Sequence, residues 1–308
     1  MEEKYFTIAT LTHDGEMRHK YFETTVDTFL KNTNFPERIH WHFYHNGIFN
    51  SPIIESISNF VEKYQDRVVF SFRVGGKNMG VGYGINRINE YVQDYKYCLF
   101  LEGDWITLPK KFSNQDKDWL IRSLDLMEKE NLDQIQLRKY LNDVDDRQFG
   151  LGYWTNENNV EKVENGYVFL KEREYTNNPH IHRTKSFFDV GIFPMQEFLD
   201  EEGDPTELKK CKNWGQAELV AEPLGKQLKS AWLQGGKMVH CDHFQYDTWD
   251  EVEEKITGCD HDDGSLLHCK YKFLFPREEF CKFCDNTKDF KDLEKHNWRF
   301  EQNLNNES

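Results

Sequence analysis

One stretch, Tyr97–Trp105, constrains the fold of this 308-residue chain more than any other. Its first part, Tyr97–Leu101, is continuously apolar, as expected of a strand that is buried on both faces of a sheet. Glu102 and Asp104 follow directly, with Gly103 between them. Residues two positions apart in an extended segment point the same way. The stretch predicts a buried strand that ends in half of a divalent-cation site, although a polar strand end that turns into a loop has the same pattern.

The first hundred residues alternate between strand-like and helix-like patterns. Strands are predicted at residues 4–11, 39–44, 67–74 and 97–101, and helices at residues 16–31, from 52 onward, and at 82–93. Such alternation with short connections predicts parallel strands joined by right-handed crossovers. Ligands of such a sheet bind beyond the carboxyl ends of the strands. Polar groups follow all four strands, at residues 12–14, 45–46, 77–78 and 102–104.

The rest of the chain is less regular. A helix is predicted near 118–130, a strand at 133–140, a helix at about 213–229 and a strand at 230–233. We interpret the polar residues 142–177 as an irregular insertion with a small hairpin, which has the character of an acceptor-binding lid. Four of the seven cysteines follow, at positions 259, 269, 281 and 284. One pair has the C-x-x-C spacing of a zinc knuckle and the other does not, so structural Zn²⁺ and unlinked thiols both stay open.

The composition argues against several classes of protein. A net charge of −15 and a pI near 5.3 argue against a nucleic-acid binder and against a surface that binds anionic lipid. No apolar run approaches the ~20 residues that span a bilayer, and the N-terminus lacks the pattern of a signal peptide. Seven cysteines, one of them within a predicted core strand, favour free thiols. We therefore expect a cytoplasmic protein without a transmembrane segment.

The order of several motifs resembles that of family-2-type glycosyltransferases with the GT-A fold. NMGVGYGIN at 78–86 and LFLEGDW at 99–105 resemble the N-x-G…N…L-D-x-D pattern, and HNG at 45–47 looks like D-N-G. Residues 178–194 are similar to the acceptor-side segment of those enzymes. The resemblance implies an α/β fold, namely a GT-A (Rossmann-like) three-layer sandwich with a mostly parallel central sheet and a small C-terminal appendage. Its domains are 1–250, with a nucleotide-binding half at 1–105 and an acceptor half at 106–250, and a Cys-rich appendage at 251–308.

The resemblance also implies an activity. The chain is expected to be a hexosyltransferase that moves a sugar from a UDP- or GDP-type donor to a glycan or other hydroxyl acceptor, with inversion and with Mn²⁺ or Mg²⁺. The implied metal ligands are Glu102, Asp104 and His243, and the implied catalytic base is Glu218. The residues implied for nucleotide-sugar binding are Thr10, Thr12, His45, Asn46, Asn78, Gly80, Asn86, Glu102, Gly103, Asp104, Arg138 and His180.

Two residues depart from the family pattern. His45 stands where the family has an Asp that hydrogen-bonds the nucleotide base, and Glu102 replaces the first acid of D-x-D with a longer side chain. A nucleotidyltransferase of related fold has the same strand–helix layout and acidic strand ends and stays open. It needs a basic, glycine-rich loop after the first strand, and this chain has one glycine and the more distant Arg18 there. An inactive carbohydrate- or nucleotide-sugar-binding protein is the third interpretation.

Ordinary structural roles compete with the catalytic ones. Glu218 lies in a predicted first helical turn, where the helix dipole alone favours an acid, and Glu222 one turn later is the alternative base. His240 is the alternative to His243. Arg138 lies at a strand edge, where arginines commonly form surface ion pairs.

Overall fold

The structure is a computed structural model that describes residues 4–15, 18–35, 38–113, 115–138, 160–170, 178–190 and 228–241. All of these residues belong to Met1–Trp249, one of the two units into which the chain divides. Glu218, Glu222 and His243 lie outside the described residues, as do the four cysteines considered for zinc. Their roles, and the domain boundaries, stay predictions.

The described residues form eleven strands and six helices. The strands are β1 (Lys4–His13), β2 (Ile39–Asn46), β3 (Val68–Val74), β4 (Tyr95–Phe100), β5 (Trp105–Thr107), β6 (Gln134–Gln136), β7 (Val160–Glu164), β8 (Tyr167–Leu170), β9 (His180–Arg183), β10 (Ser230–Leu233) and β11 (Met238–His240). The helices are α1 (Arg18–Asn32), α2 (Pro52–Tyr64), α3 (Val81–Val92), α4 (Lys110–Ser113), α5 (Trp119–Glu130) and α6 (Thr184–Val190). No helix within this part of the chain is long and apolar enough to cross a bilayer.

Nine of these strands form one sheet, in the order β3-β2-β1-β4-β9-β6-β10-β8-β7. Strands β8 and β9 run against the others, which share one direction. Strands β1 to β4 are parallel neighbours joined by helices, as the alternating pattern predicts. The predicted α/β fold with a mostly parallel central sheet is therefore confirmed.

Helices cover both faces of the parallel strands. Neighbouring residues of a strand point to opposite faces, so Ile8 packs in one cluster with Phe22 of α1 and Phe60 of α2. Ala9 packs on the other face with Ile85 of α3. The sheet and its two helical faces make the three layers that the resemblance implies.

Helix α1 also holds the short strand β5, which comes directly after the two acids. The backbone N–H groups of Trp105 and Thr107 donate to the hydroxyls of Thr25 and Thr28, at 3.0 and 3.1 Å. The amide of Asn32 donates to the carbonyl of Thr107 at 2.9 Å. Since strand and helix share these hydrogen bonds, the position of the segment after β4 is set by α1.

The second half of the sheet departs from the sequence interpretation. Strand β9 inserts antiparallel between β4 and β6, although no strand is predicted there. The predicted hairpin exists as β7 and β8, but β8 is wholly buried and pairs with β10. The hairpin therefore extends the main sheet instead of belonging to a lid, because the four consecutive apolar residues of β8 are buried on both faces. The remainder of the proposed lid, residues 142–159 and 171–177, lies outside the described residues.

Candidate functional site

A cavity of about 230 Å³ lies at the carboxyl edge of the parallel strands. It is lined from the ends of β1 and β2, from the segments after β3 and β4, and from the starts of α1, α2 and α3. The polar lining residues are Thr12, His13, Arg18, Asn46, Asn78, Glu102 and Asp104. The four polar strand ends that the sequence places at one edge thus meet around one cavity.

The segment after β4 continues alongside β1 and carries the two acids to the cavity. The N–H of Gly103 donates to the carbonyl of Leu11 at 3.1 Å. A Cβ atom on Gly103 would lie only 2.8 Å from Cγ2 of Thr12. The close approach of the two segments therefore requires glycine between Glu102 and Asp104.

Asp104 is the buried acid of the cavity, with 7% of its surface exposed. Its Oδ2 atom accepts a hydrogen bond from Arg18 and lies 3.1 Å from Nε2 of His240. Its Oδ1 atom is buried without a hydrogen-bond partner. Burial opposes the charge on Asp104, but His240 and Arg18 outweigh it and hold the pKa of this carboxyl below its ordinary value. Asp104 is thus an ionised carboxylate with one oxygen engaged and the other unsatisfied.

His240 reaches Asp104 because β11 pairs with β5. The pairing places His240 opposite Trp105, with the two rings edge-to-face at 5.2 Å. The N–H of Cys241 donates to the backbone carbonyl of Asp104 at 2.8 Å. The sequence singles out His240 only as the alternative to His243, and the structure makes it the histidine that contacts the acid.

The donor groups of the cavity suit a hard divalent cation in part. Glu102 and Asp104 line the same cavity, and the unsatisfied Oδ1 of Asp104 is a buried oxygen acceptor. Within the described ranges, no group of three His, Cys, Asp or Glu side chains is arranged to hold a metal ion. A cation at Asp104 would therefore need further ligands, such as phosphate oxygens and water.

Asn46 shapes the loop that leads into α3. Its amide nitrogen donates to Oδ1 of Asn78 at 3.0 Å and to the carbonyl of Gly80 at 2.8 Å. Its Oδ1 atom accepts from the N–H of Met79 at 3.0 Å. Gly80 has a φ of 87°, which favours glycine there. These bonds fix the amino end of α3 beside the cavity, and the unpaired N–H groups of a helix start favour an anionic ligand.

His45 does not line the cavity. It is fully buried, its Nδ1 lies 3.0 Å from the hydroxyl of Thr12, and its Nε2 lies 3.3 Å from Oδ1 of Asp14. Burial lowers the pKa of His45, although Asp14 opposes this effect. Oδ2 of Asp14 accepts from the N–H of Ile48 at 2.7 Å, and a Cβ on Gly47 would come within 2.2 Å of that oxygen. The carboxylate at the end of β2 is therefore supplied by Asp14, from beyond β1.

Two other predicted ligand-binding residues lie away from the cavity. Thr10 is fully buried, and its hydroxyl accepts from Nε1 of Trp41 at 2.9 Å. Its side chain therefore serves the core between β1 and β2. Asn86 lies within α3, beyond the turn that borders the cavity.

Arg138 and His180 are also absent from the cavity lining. Arg138 donates to Oδ1 of Asn178 at 2.8 Å and its guanidinium lies 5.6 Å from the ring centre of Trp105. His180 is fully buried on β9, and its Nδ1 lies 2.7 Å from the carbonyl of Asn178. Both residues therefore contact Asn178, and their predicted role in nucleotide-sugar binding stays a prediction.

Arg18 is the lining residue whose role the sequence does not indicate. The sequence interpretation treats it as too distant from the first strand to serve a phosphate loop. It is the first residue of α1, which begins at the edge where β1 ends, and this puts its guanidinium on Asp104. In the sequence, the signal for this position of Arg18 is a basic residue at the start of the helix that follows β1.

No protein-family model and no curated protein matches this chain. It is similar to the crystal structure of S. aureus TarS 1–349, at 13% identity over 92% of this chain and 76% of that chain, with a TM-score of 0.48. It is similar to GalNAc-T7 with UDP, GalNAc and Mn²⁺, at 9% identity over 94% and 57%, with a TM-score of 0.47. It is also similar to the mannosyltransferase PcManGT from Pyrobaculum calidifontis in complex with GDP-Man and Mn²⁺, at 9% identity over 61% and 47%, with a TM-score of 0.44.

All three matches have low identity to this chain and TM-scores below 0.5. At identities of 9–13% and TM-scores of 0.44–0.48 they carry no argument about what this chain does. The residues of the cavity are therefore the basis for the function of this chain.

Proposed function

We propose that this chain is a glycosyltransferase that moves a sugar from a nucleoside diphosphate donor to an acceptor hydroxyl, with Mn²⁺ or Mg²⁺ at Asp104. The observation that carries the proposal is the state of Asp104, an ionised and buried carboxylate with one unsatisfied oxygen, in a cavity where four strand ends meet. The carboxyl edge of a parallel sheet is where α/β proteins bind nucleotides.

Different lining residues are proposed to bind different parts of the donor. The amino end of α3, held by Asn46, favours the phosphates, and Asp104 with Glu102 would hold the cation. These residues would place a divalent cation where its charge could stabilise the negative charge that develops on the departing diphosphate. The fold holds the start of α3 and the two acids in fixed positions around the cavity.

Asp14 is the proposed contact of the nucleotide base, in place of His45. Its carboxylate lies at the end of β2, where the family pattern has an Asp, and 28% of its side chain is exposed. A carboxylate accepts hydrogen bonds from the ring N–H of uracil or guanine, whereas adenine and cytosine have an acceptor nitrogen at the corresponding ring position. This supports a UDP- or GDP-type donor.

The catalytic base is proposed to be Glu218, on the resemblance alone. An acceptor hydroxyl must lose its proton as it attacks the anomeric carbon, which a carboxylate in reach can accept. Inversion at that carbon is proposed together with this base.

A donor panel scored by nucleotide release tests the proposed function. With Mn²⁺ present, the wild-type protein is expected to release UDP or GDP from one class of sugar nucleotide, and Asp104→Asn to release none above background. The matched control is Asp27→Asn, because Asp27 is a half-exposed acid of α1 that pairs with Lys63 on the surface. Release from no donor in the panel, or full metal-dependent release by Asp104→Asn, would contradict the proposal.

One observation favours a nucleotidyltransferase as the second candidate. Arg18 reaches the cavity from the segment after β1, which is where such an enzyme needs a basic residue. The two reactions differ in the product: a nucleotidyltransferase would release pyrophosphate from a nucleoside triphosphate and a sugar 1-phosphate, and a glycosyltransferase would release a nucleoside diphosphate. Assaying both products with the same protein separates the candidates.

A further inference from the structure

The outer strand β3 of the sheet carries an inference that is independent of the proposed function. We propose that β3 pairs with β3 of a second copy of this chain, antiparallel and about a twofold axis at Ser71, so that the two copies share one continuous sheet. Within the described residues, β3 is the last strand on its side of the nine-stranded sheet and pairs only with β2. The edge of β3 away from β2, its outer edge, is therefore where a further strand could join.

The hydrogen bonds between β2 and β3 indicate which backbone groups face the outer edge. The N–H of Ile39 donates to the carbonyl of Arg67, and the N–H of Gly75 donates to the carbonyl of His45. In a parallel pair, alternate residues of a strand bond to the same neighbour. The odd-numbered residues of β3 therefore bond to β2, and the N–H and C=O groups of its even-numbered residues point outward. These even-numbered residues are Val68, Phe70, Phe72 and Val74.

The sequence of β3 suits pairing with itself. On either side of Ser71 the strand has a Phe at the adjacent position and a Val at the end, in the order V-V-F-S-F-R-V. A twofold axis at Ser71 places Phe70 opposite Phe72 of the second copy, and Val68 opposite Val74. Each such pair would exchange both of its backbone hydrogen bonds, because the even-numbered residues are the ones that face outward. An interface between two identical copies needs a self-complementary surface of this kind.

The side chains of the even-numbered residues lie on the sheet face that α1 and α2 cover. Val68 belongs to the core cluster on that face, and Phe70 packs against the cluster with its ring stacked on Phe43 at 5.7 Å. Phe72, the next residue on this face, is 42% exposed. In the proposed pair, Phe72 would lie beside Phe70 of the second copy. The aromatic row of the core would thus continue from one copy into the other.

The two outer strands of the sheet differ in charge and regularity. Strand β7, at the opposite end of the sheet, has the sequence V-E-K-V-E and an irregular register with β8. Charged side chains and bulges are features that keep edge strands from pairing with other chains. Strand β3 has a regular register with β2 and no acid, and its one charged residue, Arg73, lies over the ring of Tyr91 at 5.0 Å. In a chain with a net charge of −15, an edge without acids suits contact between two copies.

The test is sedimentation equilibrium of the full chain, with a charge of either sign placed on the proposed axis. An antiparallel pair centred on Ser71 brings residue 71 of one copy directly opposite residue 71 of the other. Ser71→Glu and Ser71→Lys should each weaken dimerisation by about tenfold or more, because like charges directly opposite repel each other. An equimolar mixture of the two variants should dimerise within about threefold of the wild type, because each Glu then meets a Lys.

Two controls separate pairing from effects within one copy. The hydroxyl of Ser71 lies 2.5 Å from Nδ1 of His42, and both variants lose this contact, so the mixture controls for its loss. Val163→Glu, at an exposed position of the other outer strand, should leave dimerisation unchanged. Phe72→Lys is a second test: its position is exposed in the single copy, so circular dichroism should show an intact fold, while a lysine at the edge should abolish pairing.

Three outcomes would overturn the inference. The first is a wild type that stays monomeric across micromolar concentrations, which is also the result expected if another segment of the same chain covers β3. The second is a dimer that Ser71→Glu and Phe72→Lys do not weaken, because such a dimer uses another surface. The third is a dimer that both Ser71 variants lose and their mixture does not restore, which would assign Ser71 a role within its own chain through His42.

Discussion

The parallel strands β1–β4 and the mixed strands β6 and β8–β10 differ in whether their polar residues reach the cavity. In the first region, polar side chains follow the strand ends and surround one cavity. In the second region they lie within the sheet and are buried. The buried side-chain atoms without a hydrogen-bond partner in these strands include both ring nitrogens of His182, Oε1 of Gln134 and Nε2 of Gln136.

Strand direction explains the difference. Each parallel strand with a helical crossover delivers its carboxyl end to the same edge, so four separate segments meet. Strand β9 runs the other way, and its His182 is placed opposite Cys98 and Gln134 in the middle of the sheet, 3.9 Å from the ring of Phe187. Leaving a buried polar group unsatisfied costs about 1–3 kcal/mol. Both regions bear this cost, since Nε2 of His42 in β2 and the hydroxyl of Tyr95 in β4 also lack a partner.

The largest effect is expected from Asp104→Asn. The substitution removes the charge that Arg18 and His240 both contact, and the expected cation ligand with it. Because the cation that would hold the diphosphate loses its charged ligand, we expect UDP affinity in Mn²⁺ to fall by about 100-fold. Titration of each protein with UDP in the presence of Mn²⁺ measures this affinity. An affinity within threefold of the wild-type value would contradict the role assigned to the parallel edge.

A smaller effect is expected from Gly103→Ala, which changes only the packing of that edge. The new Cβ would meet Cγ2 of Thr12 at 2.8 Å and push the acids away from β1. Overpacking of this kind costs about 1–3 kcal/mol, so UDP should bind about tenfold more weakly.

A rescue variant separates this packing effect from any other. Thr12→Ser removes Cγ2 and keeps the hydroxyl that contacts His45, so the double variant with Gly103→Ala should recover part of the lost affinity. Absence of recovery would show that the clash with Thr12 is not the cause.

The substitution Asp14→Asn tests the proposed contact with the nucleotide base at the end of β2. An amide can present a donor where the carboxylate can only accept, so the preference for uracil or guanine over adenine and cytosine should fall by about tenfold. Competition of UDP, GDP, ADP and CDP for the same site measures the preference. Unchanged preference would exclude Asp14 as the contact of the base, while a uniform loss for all four nucleotides would indicate a structural role.

The smallest effect is expected from the mixed region, in stability and not in binding. Burial lowers the pKa of His180 to about 4 and that of His182 well below 6.5. Between pH 6.5 and 4 the unfolded chain therefore binds protons that the folded chain does not, and stability falls as the pH falls. Each such histidine contributes about 1.4 kcal/mol per pH unit over its window.

His182→Leu isolates this contribution. We expect the free energy of unfolding at pH 7 to stay equal or rise by about 1 kcal/mol, because two unsatisfied nitrogens are removed. Below pH 6.5 its acid sensitivity should be smaller than that of the wild type, and UDP affinity should not change. Urea unfolding across this pH range measures both, and an unchanged acid slope would contradict the burial of neutral His182.

The elements of the parallel region could be predicted from sequence because their patterns are local. The predicted strand at 39–44 and helix from Pro52 correspond to β2 and α2, and Ser51 caps α2 with its side chain accepting from Ile53. The predicted polar strand ends also meet at one cavity, since parallel topology leaves them no other edge.

The contacts that complete the site could not be predicted because they are not local. Arg18 and Asp104 are 86 positions apart, and neither lies in a sequence motif that indicates contact with the other. His240 reaches Asp104 through the pairing of β11 with β5, and these strands of three residues are too short to show a period. The direction of β9 likewise depends on its neighbours and not on its own residues, so the position of His180 within the sheet could not be predicted from its own segment.

The most direct test of the central claim is a manganese anomalous difference map from crystals of the protein grown with MnCl₂ and UDP. We expect one strong peak within ligand distance of the Asp104 carboxylate, about 2.0–2.2 Å, with the diphosphate on the same ion. A nucleotide bound elsewhere on the chain, or a manganese peak with no ligand from Asp104, would contradict the account.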